Sequence, residues 1–150
     1  MYGIIGEDKS DVDTLKVLIR RLGEDEGIRI RPKGYEGCGE MLKKGCAQLA
    51  AFADLGCTRF VISFDSDGLD PRGRREAVLQ QLVIPNSIEK KCCIVIPVQE
   101  LEAWILADIV AVAQVFPSWL PKAIENPENI PSPKEHREKL SRGCKTQAQV

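Results

Sequence analysis

The sequence predicts an α/β fold with a mostly parallel sheet and helices on both faces. Strand-like segments alternate along the chain with segments of helical periodicity, which is typical of βαβ units. The run Arg59–Phe64 has the nearly continuous hydrophobicity of a strand covered on both faces. The chain has 150 residues, of which 43% are hydrophobic, so it is long enough to form a domain with its own core.

The predicted elements occupy residues 1–116. They are, in order, a strand over 2–6, a helix over 11–22, a strand over 28–31, a helix over 40–55, a strand over 59–64, a helix over 72–82, a strand over 92–96 and a helix over 100–116. Ser10 is the expected N-cap of the first helix, with Asp13 at position N3. Pro32 is expected to stop the second strand. Residues 34–39, rich in glycine, are predicted to form a flexible loop.

Residues 117–150 have a different composition. Five prolines among polar residues predict a loop over 117–133, and a short helix is expected over 134–140. We expect this segment to pack on the same α/β domain, so that the two ranges 1–116 and 117–150 form one body.

Composition restricts the compartment and the partners. The sequence contains no apolar run long enough to cross a membrane, and the early charges of residues 7–13 are not typical of a secretory signal, so we expect a cytoplasmic protein without a membrane partner. Its six cysteines include no CxxC pair, which favours buried free thiols over a zinc site. The net charge of -1 gives no long-range attraction for nucleic acid, so such a partner would need a local basic patch.

Acidic residues follow three predicted strands. Glu7 follows the first strand, Asp65 and Asp67 follow the central one, and Glu102 comes shortly after the last. Because the carboxyl ends of parallel strands meet at one edge, these carboxylates are expected to converge there and to repel one another. A bound Mg²⁺ or Mn²⁺ would relieve that repulsion. Asp65 and Asp67 are expected to project to the same side, because side chains alternate along a strand.

Each acidic residue also has a structural interpretation. The Asp65–Gly68 loop is equally compatible with a turn closed by aspartate hydrogen bonds. Glu7 alone could be a solvated charge at a helix entry. Glu100 and Asp108 can be explained as solvated positions, whereas for Glu102 a ligand role and a structural role are equally compatible with the sequence. Trp104 is expected to lie in the core of its apolar helix.

Basic residues lie close to the acidic pair in the sequence. Arg72, Arg74 and Arg75 follow it directly, where a phosphodiester bound to the metal would need neutralising, and Lys9 follows Glu7. A solvated helix face is the alternative interpretation of the arginines.

The order of these motifs resembles a known family. A strand followed by Glu7, an acid at Asp11, a helix, and then an apolar strand with Asp65-x-Asp67 is similar to the Toprim domain of topoisomerases, bacterial primases and OLD-type nucleases. The resemblance implies a Toprim-like, Rossmann-like fold in which Glu7, Asp65 and Asp67 hold Mg²⁺. Asp8 departs from the pattern, since the family usually has glycine after the glutamate.

A second segment points to a narrower group. Residues 97–108, with Glu102 and Trp104, resemble the E-x-W segment of the DUF4276 proteins, which are small stand-alone Toprim-like proteins. That resemblance implies phage-defence loci with a neighbouring ATPase, and a chain that continues beyond Val150.

Two function classes follow from these observations. The first is a Mg²⁺- or Mn²⁺-dependent nuclease in which Glu7, Asp65, Asp67 and Glu102 hold the metal and Lys9, Arg72, Arg74 and Arg75 contact nucleic acid. The alternative is a non-catalytic module that docks on an ATPase partner and binds nucleotide or nucleic acid without cleaving it. A primase-like nucleotidyl transferase shares the metal chemistry, but the sequence offers no accessory domain to support it.

Overall fold

A computed structural model describes residues 1–115 and 124–143 of the chain. The described part divides into two compact units. The first comprises Met1–Asp65 and Asp70–Ile96, and the second comprises Ser66–Leu69 and the chain from Pro97 onward. The predicted boundary between 116 and 117 falls outside the described residues and stays a prediction.

The first unit contains a parallel sheet. Within the described residues its four strands are β1 (Tyr2–Gly6), β2 (Ile30–Gly34), β3 (Arg59–Ser63) and β4 (Cys92–Val95). Their spatial order is β2-β1-β3-β4, and every adjacent pair is parallel. The predicted α/β fold class is therefore confirmed.

Helices cover both faces of this sheet. On one face α1 (Lys9–Leu22) packs Val12 and Leu15 against Ile4 and Val61 of the strands. On the other face lie α2 (Cys38–Asp54) and α3 (Pro71–Val78), which continues as a π-helical turn over Leu79–Val83. The apolar side chains of that second face include Ile5, Met41, Leu49, Phe52, Ile62, Phe64 and Leu82. Both faces of β1 and β3 are thus largely removed from water, as their apolar sequences indicate.

The expected start of the first helix and both expected bounds of the second strand are wrong. Helix α1 begins at Lys9, two residues earlier than predicted, because Asp8 rather than Ser10 is its N-cap. Strand β2 runs through Pro32 instead of stopping before it. Pro32 is tolerated there because β2 is an edge strand, where a residue without an N–H can face away from the neighbouring strand.

The second unit contains short helices. Helices α4 (Glu102–Ala107) and α5 (Ile109–Val115) replace the single predicted helix over 100–116, and residue 116 lies outside the described residues. The helix is interrupted at Asp108. The side chain of Asp108 accepts the N–H of Ala111 at 3.0 Å and so caps α5. Helix α6 (Pro133–Gly143) confirms the short helix expected over 134–140.

The position of Trp104 differs from the expected one. Its side chain is 42% exposed, so its predicted place in the core is wrong. The five cysteines among the described residues are free thiols, but of these five only Cys57 is buried and Cys93 is exposed, so the expectation of buried thiols is wrong for most of them. Cys144 lies outside the described residues. Across residues 1–115 and 124–143, helices that combine the length and apolarity needed to cross a membrane are absent.

Candidate functional site

The strand order of the first unit creates a crevice between two particular strands. From β1 the chain crosses to β2 on one side, and β3 and β4 are added on the other side. The order therefore reverses between β1 and β3, and ligands of open α/β sheets bind at the carboxyl ends of strands at such a point. Glu7 directly follows β1, and Asp65 comes two residues after the last residue of β3.

Glu7 and Asp65 are in direct contact. The backbone N–H of Asp65 donates to Oε1 of Glu7 at 2.8 Å. Both residues are half-buried, and Oδ1 of Asp65 is fully buried. Since an aspartate carboxyl is only a few bonds from its own nitrogen, the two carboxyl groups lie within roughly 7 Å of each other. The structure thus brings these two predicted site residues together.

The turn that carries Glu7 is fixed by the start of α1. Oδ1 of Asp8 accepts the N–H of Asp11 at 2.9 Å, and the N–H of Asp8 donates to Oδ2 of Asp11 at 3.3 Å. This reciprocal pair is a capping box. Asp8 has the extended backbone angles φ -137° and ψ -179°, which any residue adopts. The glycine usual in Toprim domains is therefore not required at this position.

The glycine-rich segment after β2 supports the same turn. The N–H of Gly37 donates to the carbonyl of Glu7 at 2.9 Å, and the N–H of Tyr35 donates to the carbonyl of Gly6 at 3.2 Å. A Cβ at Gly34 would lie 2.7 Å from the backbone of Asp8. Only glycine allows this close approach, so the segment expected to be a flexible loop is a packed support for Glu7.

Asp67 has a different environment. It lies in the second unit, in the turn Ser66–Leu69, where its N–H donates to the carbonyl of Gln99 at 3.3 Å. Its φ of 51° is left-handed and its side chain is exposed. The argument that strand alternation directs Asp65 and Asp67 to the same side is wrong, because β3 ends at Ser63. A ligand role for Asp67 stays a prediction.

Glu102 and Glu100 both contact α6 within the second unit. Glu102 is only 6% exposed, and its Oε1 lies 3.9 Å from Nη2 of Arg137. Oε2 of Glu100 accepts the N–H of Lys134 at 2.9 Å, in the first turn of α6. Glu100, which the sequence allows as a solvated position, is therefore held by the first turn of α6. The buried carboxylate of Glu102 beside an arginine has a structural role of its own, and its ligand role stays a prediction.

The basic residues of the first unit are not equivalent. Arg74 is half-buried, and its guanidinium lies 5.2 Å from the ring centroid of Phe64, the residue directly before Asp65. Arg72 is exposed, and Arg75 is an exposed residue whose Nη1 contacts the carbonyl of Ile94 at 3.5 Å. Lys9 is also exposed and begins α1. Arg74 is thus the arginine that packs on the residue directly before Asp65.

The side chains available as ligands limit which metal ion the site could bind. Within the described residues, groups of three or more His, Cys, Asp or Glu side chains arranged to hold a metal are absent. A pair of carboxylates fits Mg²⁺, which is commonly held by one or two carboxylates while water and substrate phosphate oxygens complete its octahedron. The pair fits Zn²⁺ poorly, because closed zinc sites use three or four protein ligands rich in cysteine and histidine.

Comparisons with known proteins identify the family. The chain matches no curated protein and no solved structure. The family model described as "Domain of unknown function (DUF4276)" matches residues 6–149. The match includes Glu7, Asp65 and the segment with Glu102 and Trp104. The chain therefore belongs to the DUF4276 family.

Proposed function

We propose that this protein is a divalent-metal-dependent phosphodiester hydrolase, a nuclease of Toprim type, in which Glu7 and Asp65 hold the metal ion. The observation that carries the proposal is the contact between Oε1 of Glu7 and the N–H of Asp65 at the β1–β3 switch point. Two carboxylates at the ligand-binding edge of a parallel sheet form an anionic pair that a cation would stabilise.

The hydrogen bond between these residues is compatible with metal binding. A carboxylate has about four lone-pair sites, so Glu7 can accept the Asp65 N–H and still coordinate a cation. The bond also fixes the orientation of Glu7, and the packed segment Tyr35–Gly37 supports its backbone. A site whose ligands are held by neighbouring backbone loses less entropy when the ion binds.

The reaction would divide its tasks among these side chains. A bound Mg²⁺ would supply an activated water and would neutralise charge on the phosphodiester. Glu7 and Asp65 would position that ion at the strand ends. Arg74, held over the Phe64 ring, would offer its guanidinium to a phosphate oxygen beside Asp65. Lys9, Arg72 and Arg75 are exposed and would contact neighbouring phosphates through charge alone.

The wider assignments belong to this proposal as well. Asp67 and Glu102 are proposed as further ligands on the strength of the sequence and the Toprim resemblance. A role in phage defence, with an ATPase partner, rests on the DUF4276 resemblance. The cellular compartment is proposed to be the cytoplasm.

The direct experiment is a cleavage assay with single- and double-stranded DNA and RNA in 5–10 mM Mg²⁺ or Mn²⁺, concentrations on the order of those that saturate weak Mg²⁺ sites. We expect cleavage that EDTA abolishes and that Asp65→Asn reduces at least about a hundredfold, since loss of a charged ligand weakens both the metal and the transition state. Asp54→Asn is the matched control. Asp54 is the exposed last residue of α2 and lies before β3, at the opposite end of the sheet.

A companion variant tests Asp67 without disturbing its turn. Asp67→Asn is preferable to alanine because asparagine tolerates the left-handed backbone at φ 51°. Activity retained in Asp65→Asn would overturn the nuclease assignment. Metal binding without cleavage of any substrate would instead favour the non-catalytic module that docks on a partner.

A further inference from the structure

A pocket of the first unit lies at the amino ends of β3 and β4, the end of the sheet opposite to Glu7 and Asp65. It has a volume of about 310 Å³. The proposed metal site uses none of its residues, so this amino-end pocket needs an explanation of its own. The side chains that matter to its chemistry are Tyr2, Arg59, Val61, Lys90, Lys91 and Cys93.

The register of the sheet shows which side chains face the amino-end pocket. Tyr2 and Val61 belong to the apolar cluster on the α1 face of the sheet. Their register partners on the adjacent strands are Arg59 and Cys93. Paired residues of neighbouring strands project to the same face, because side chains alternate along each strand. All four side chains therefore share the α1 face, in agreement with their place in the pocket lining.

Helix α1 leaves this part of its own face open. It packs on β1 and β3 through Val12 and Leu15. Strand β4 is an edge strand, and its residue Cys93 on the α1 face is exposed. On the opposite face, the neighbouring residue Cys92 is half-buried and packs against the core. The amino-end pocket thus lies beside α1, over strand surface that this helix does not cover.

The amino-end pocket carries three positive charges. Arg59, Lys90 and Lys91 are exposed, and the described lining contains neither Asp nor Glu. Across the part of the chain that the structure describes, none of these three cations forms an ion pair. Glu89 belongs to the same helical turn as the two lysines, but it is exposed and is not one of the described lining residues. The pocket therefore has cations that an anionic ligand could neutralise.

Two of these cations enter the sheet side by side. Arg59 directly precedes Phe60, and Lys91 directly precedes Cys92, the register partner of Phe60. Adjacent strands are about 4.8 Å apart, so the backbones of the two cationic residues are neighbours. Like charges opposite each other on neighbouring strands destabilise the pair. An anion bound between them would replace this repulsion by attraction.

Charge and size together select the ligand. A single phosphate group carries about 1.5–2 negative charges at pH 7, so two joined phosphates are needed to match three cations. An arginine binds phosphate oxygens through two parallel N–H groups, and a lysine binds them as a point charge. The volume is at the lower end of the roughly 300–1,000 Å³ of small-molecule sites, so it favours a small molecule over a polymer. Half-buried Tyr2 and Val61, which is 8% exposed, add an apolar wall beside the cations.

We propose that the amino-end pocket binds a diphosphate group through Arg59, Lys90 and Lys91, either as pyrophosphate or as part of a nucleoside diphosphate. This site lies at the other end of the sheet from Glu7 and Asp65. It therefore does not depend on the proposed nuclease activity.

The test is isothermal titration calorimetry with pyrophosphate, ADP and orthophosphate, at low salt and in EDTA. We expect pyrophosphate and ADP to bind at least about tenfold more tightly than orthophosphate, because they offer more charge to the three cations. Arg59→Gln and Lys91→Gln should each raise the Kd of pyrophosphate by up to roughly fivefold, the upper value for one exposed ion pair. Tighter binding of ADP than of pyrophosphate would support the nucleoside form of the ligand, and equal affinities would support recognition of the diphosphate alone.

Cys93 provides a second readout, because its exposed thiol lines the amino-end pocket. At a pyrophosphate concentration of ten times Kd about 90% of the sites are filled, so alkylation of Cys93 by iodoacetamide should slow by up to about tenfold. Cys38 begins α2 on the opposite face of the sheet, and its alkylation rate should not change. Mass spectrometry of the two peptides measures both rates in one sample.

Lys43→Gln is the matched control, because Lys43 is an exposed lysine on α2. Its affinity for pyrophosphate should equal that of the unmodified protein. The proposal is overturned if pyrophosphate and ADP do not bind, if orthophosphate binds as tightly as they do, if the pocket variants bind normally, or if Lys43→Gln loses as much affinity. Asp65→Asn separates the two proposals, since it should bind pyrophosphate normally in EDTA. Loss of pyrophosphate binding in Asp65→Asn would assign the ligand to the other end of the sheet and overturn the amino-end site.

Discussion

Replacing Glu7 by glutamine and by alanine separates its structural role from its proposed metal role. Glutamine keeps an oxygen that accepts the Asp65 N–H, whereas alanine removes it. A hydrogen bond to a charged acceptor contributes about 1.5–3 kcal/mol, and the half-buried position of Glu7 favours the lower figure. We therefore expect Glu7→Ala to lower the free energy of unfolding by about 1.5 kcal/mol in EDTA. Glu7→Gln should lower it by less than about 0.5 kcal/mol, because relief of repulsion from Asp65 offsets the weaker bond.

Divalent metal should separate the unmodified protein from both variants. At a concentration 100 times Kd, a ligand stabilises the folded state by about 2.7 kcal/mol, and in a protein of this size that raises Tm by about 5–10 °C. The unmodified protein should show this shift with Mg²⁺ or Mn²⁺, and both Glu7 variants should lose most of it. The assay is thermal unfolding followed by circular dichroism in EDTA and in metal. A metal-induced shift of Glu7→Gln equal to that of the unmodified protein would refute the reasoning.

Three further predictions concern the supports of the site and the thiols. Gly34→Ala should cost about 2 kcal/mol in urea unfolding, because the new Cβ would meet backbone at 2.7 Å, and a loss below about 0.5 kcal/mol would show that the contact yields freely. Asp8→Ala should cost about 1 kcal/mol through the lost N-cap while Ser10→Ala costs much less, and the reverse order would restore Ser10 as the cap. Iodoacetamide at pH 8 should modify exposed Cys93 well before Cys92. Burial is the main cause that raises the pKa of the Cys92 thiol to about 12, so this thiol stays protonated at pH 8. Equal rates of modification by mass spectrometry would contradict this.

The parts of the fold that the sequence predicts are those set by continuous apolar runs. Strands β1 and β3 are recognisable because both faces are buried, and Glu7 and Asp65 are recognisable because each follows such a run. Their adjacency follows from parallel topology, which the alternation of strands and helices already indicates. The precise contact, a backbone N–H of one donating to the carboxylate of the other, depends on the register of β1 against β3.

Other features depend on tertiary context. Asp8 and Ser10 are each followed three residues later by an aspartate, so the sequence offers two capping boxes, and the packing of Gly34 against the turn fits the first. Pro32 stops a central strand but not an edge strand, and single-sequence patterns do not give the position of β2 in the sheet.

In the second unit, where a helix ends depends on whether a side chain caps the backbone N–H groups or the helix continues. Asp108 lies in a stretch of helical periodicity, yet its side chain caps a new helix instead of continuing the old one. The left-handed backbone of Asp67 could have been inferred from the following Gly68, since both residues have positive φ in this turn.

Titration with Mn²⁺ tests the central claim most directly, because it measures metal binding by Glu7 and Asp65 without requiring a substrate. Electron paramagnetic resonance of free Mn²⁺ can follow the titration for the unmodified protein, Asp65→Asn and the control Asp54→Asn. We expect saturable binding by the unmodified protein and by Asp54→Asn, and an affinity at least about tenfold weaker for Asp65→Asn, which corresponds to about 1.4 kcal/mol. Equal Mn²⁺ affinity of Asp65→Asn and the unmodified protein would contradict the account.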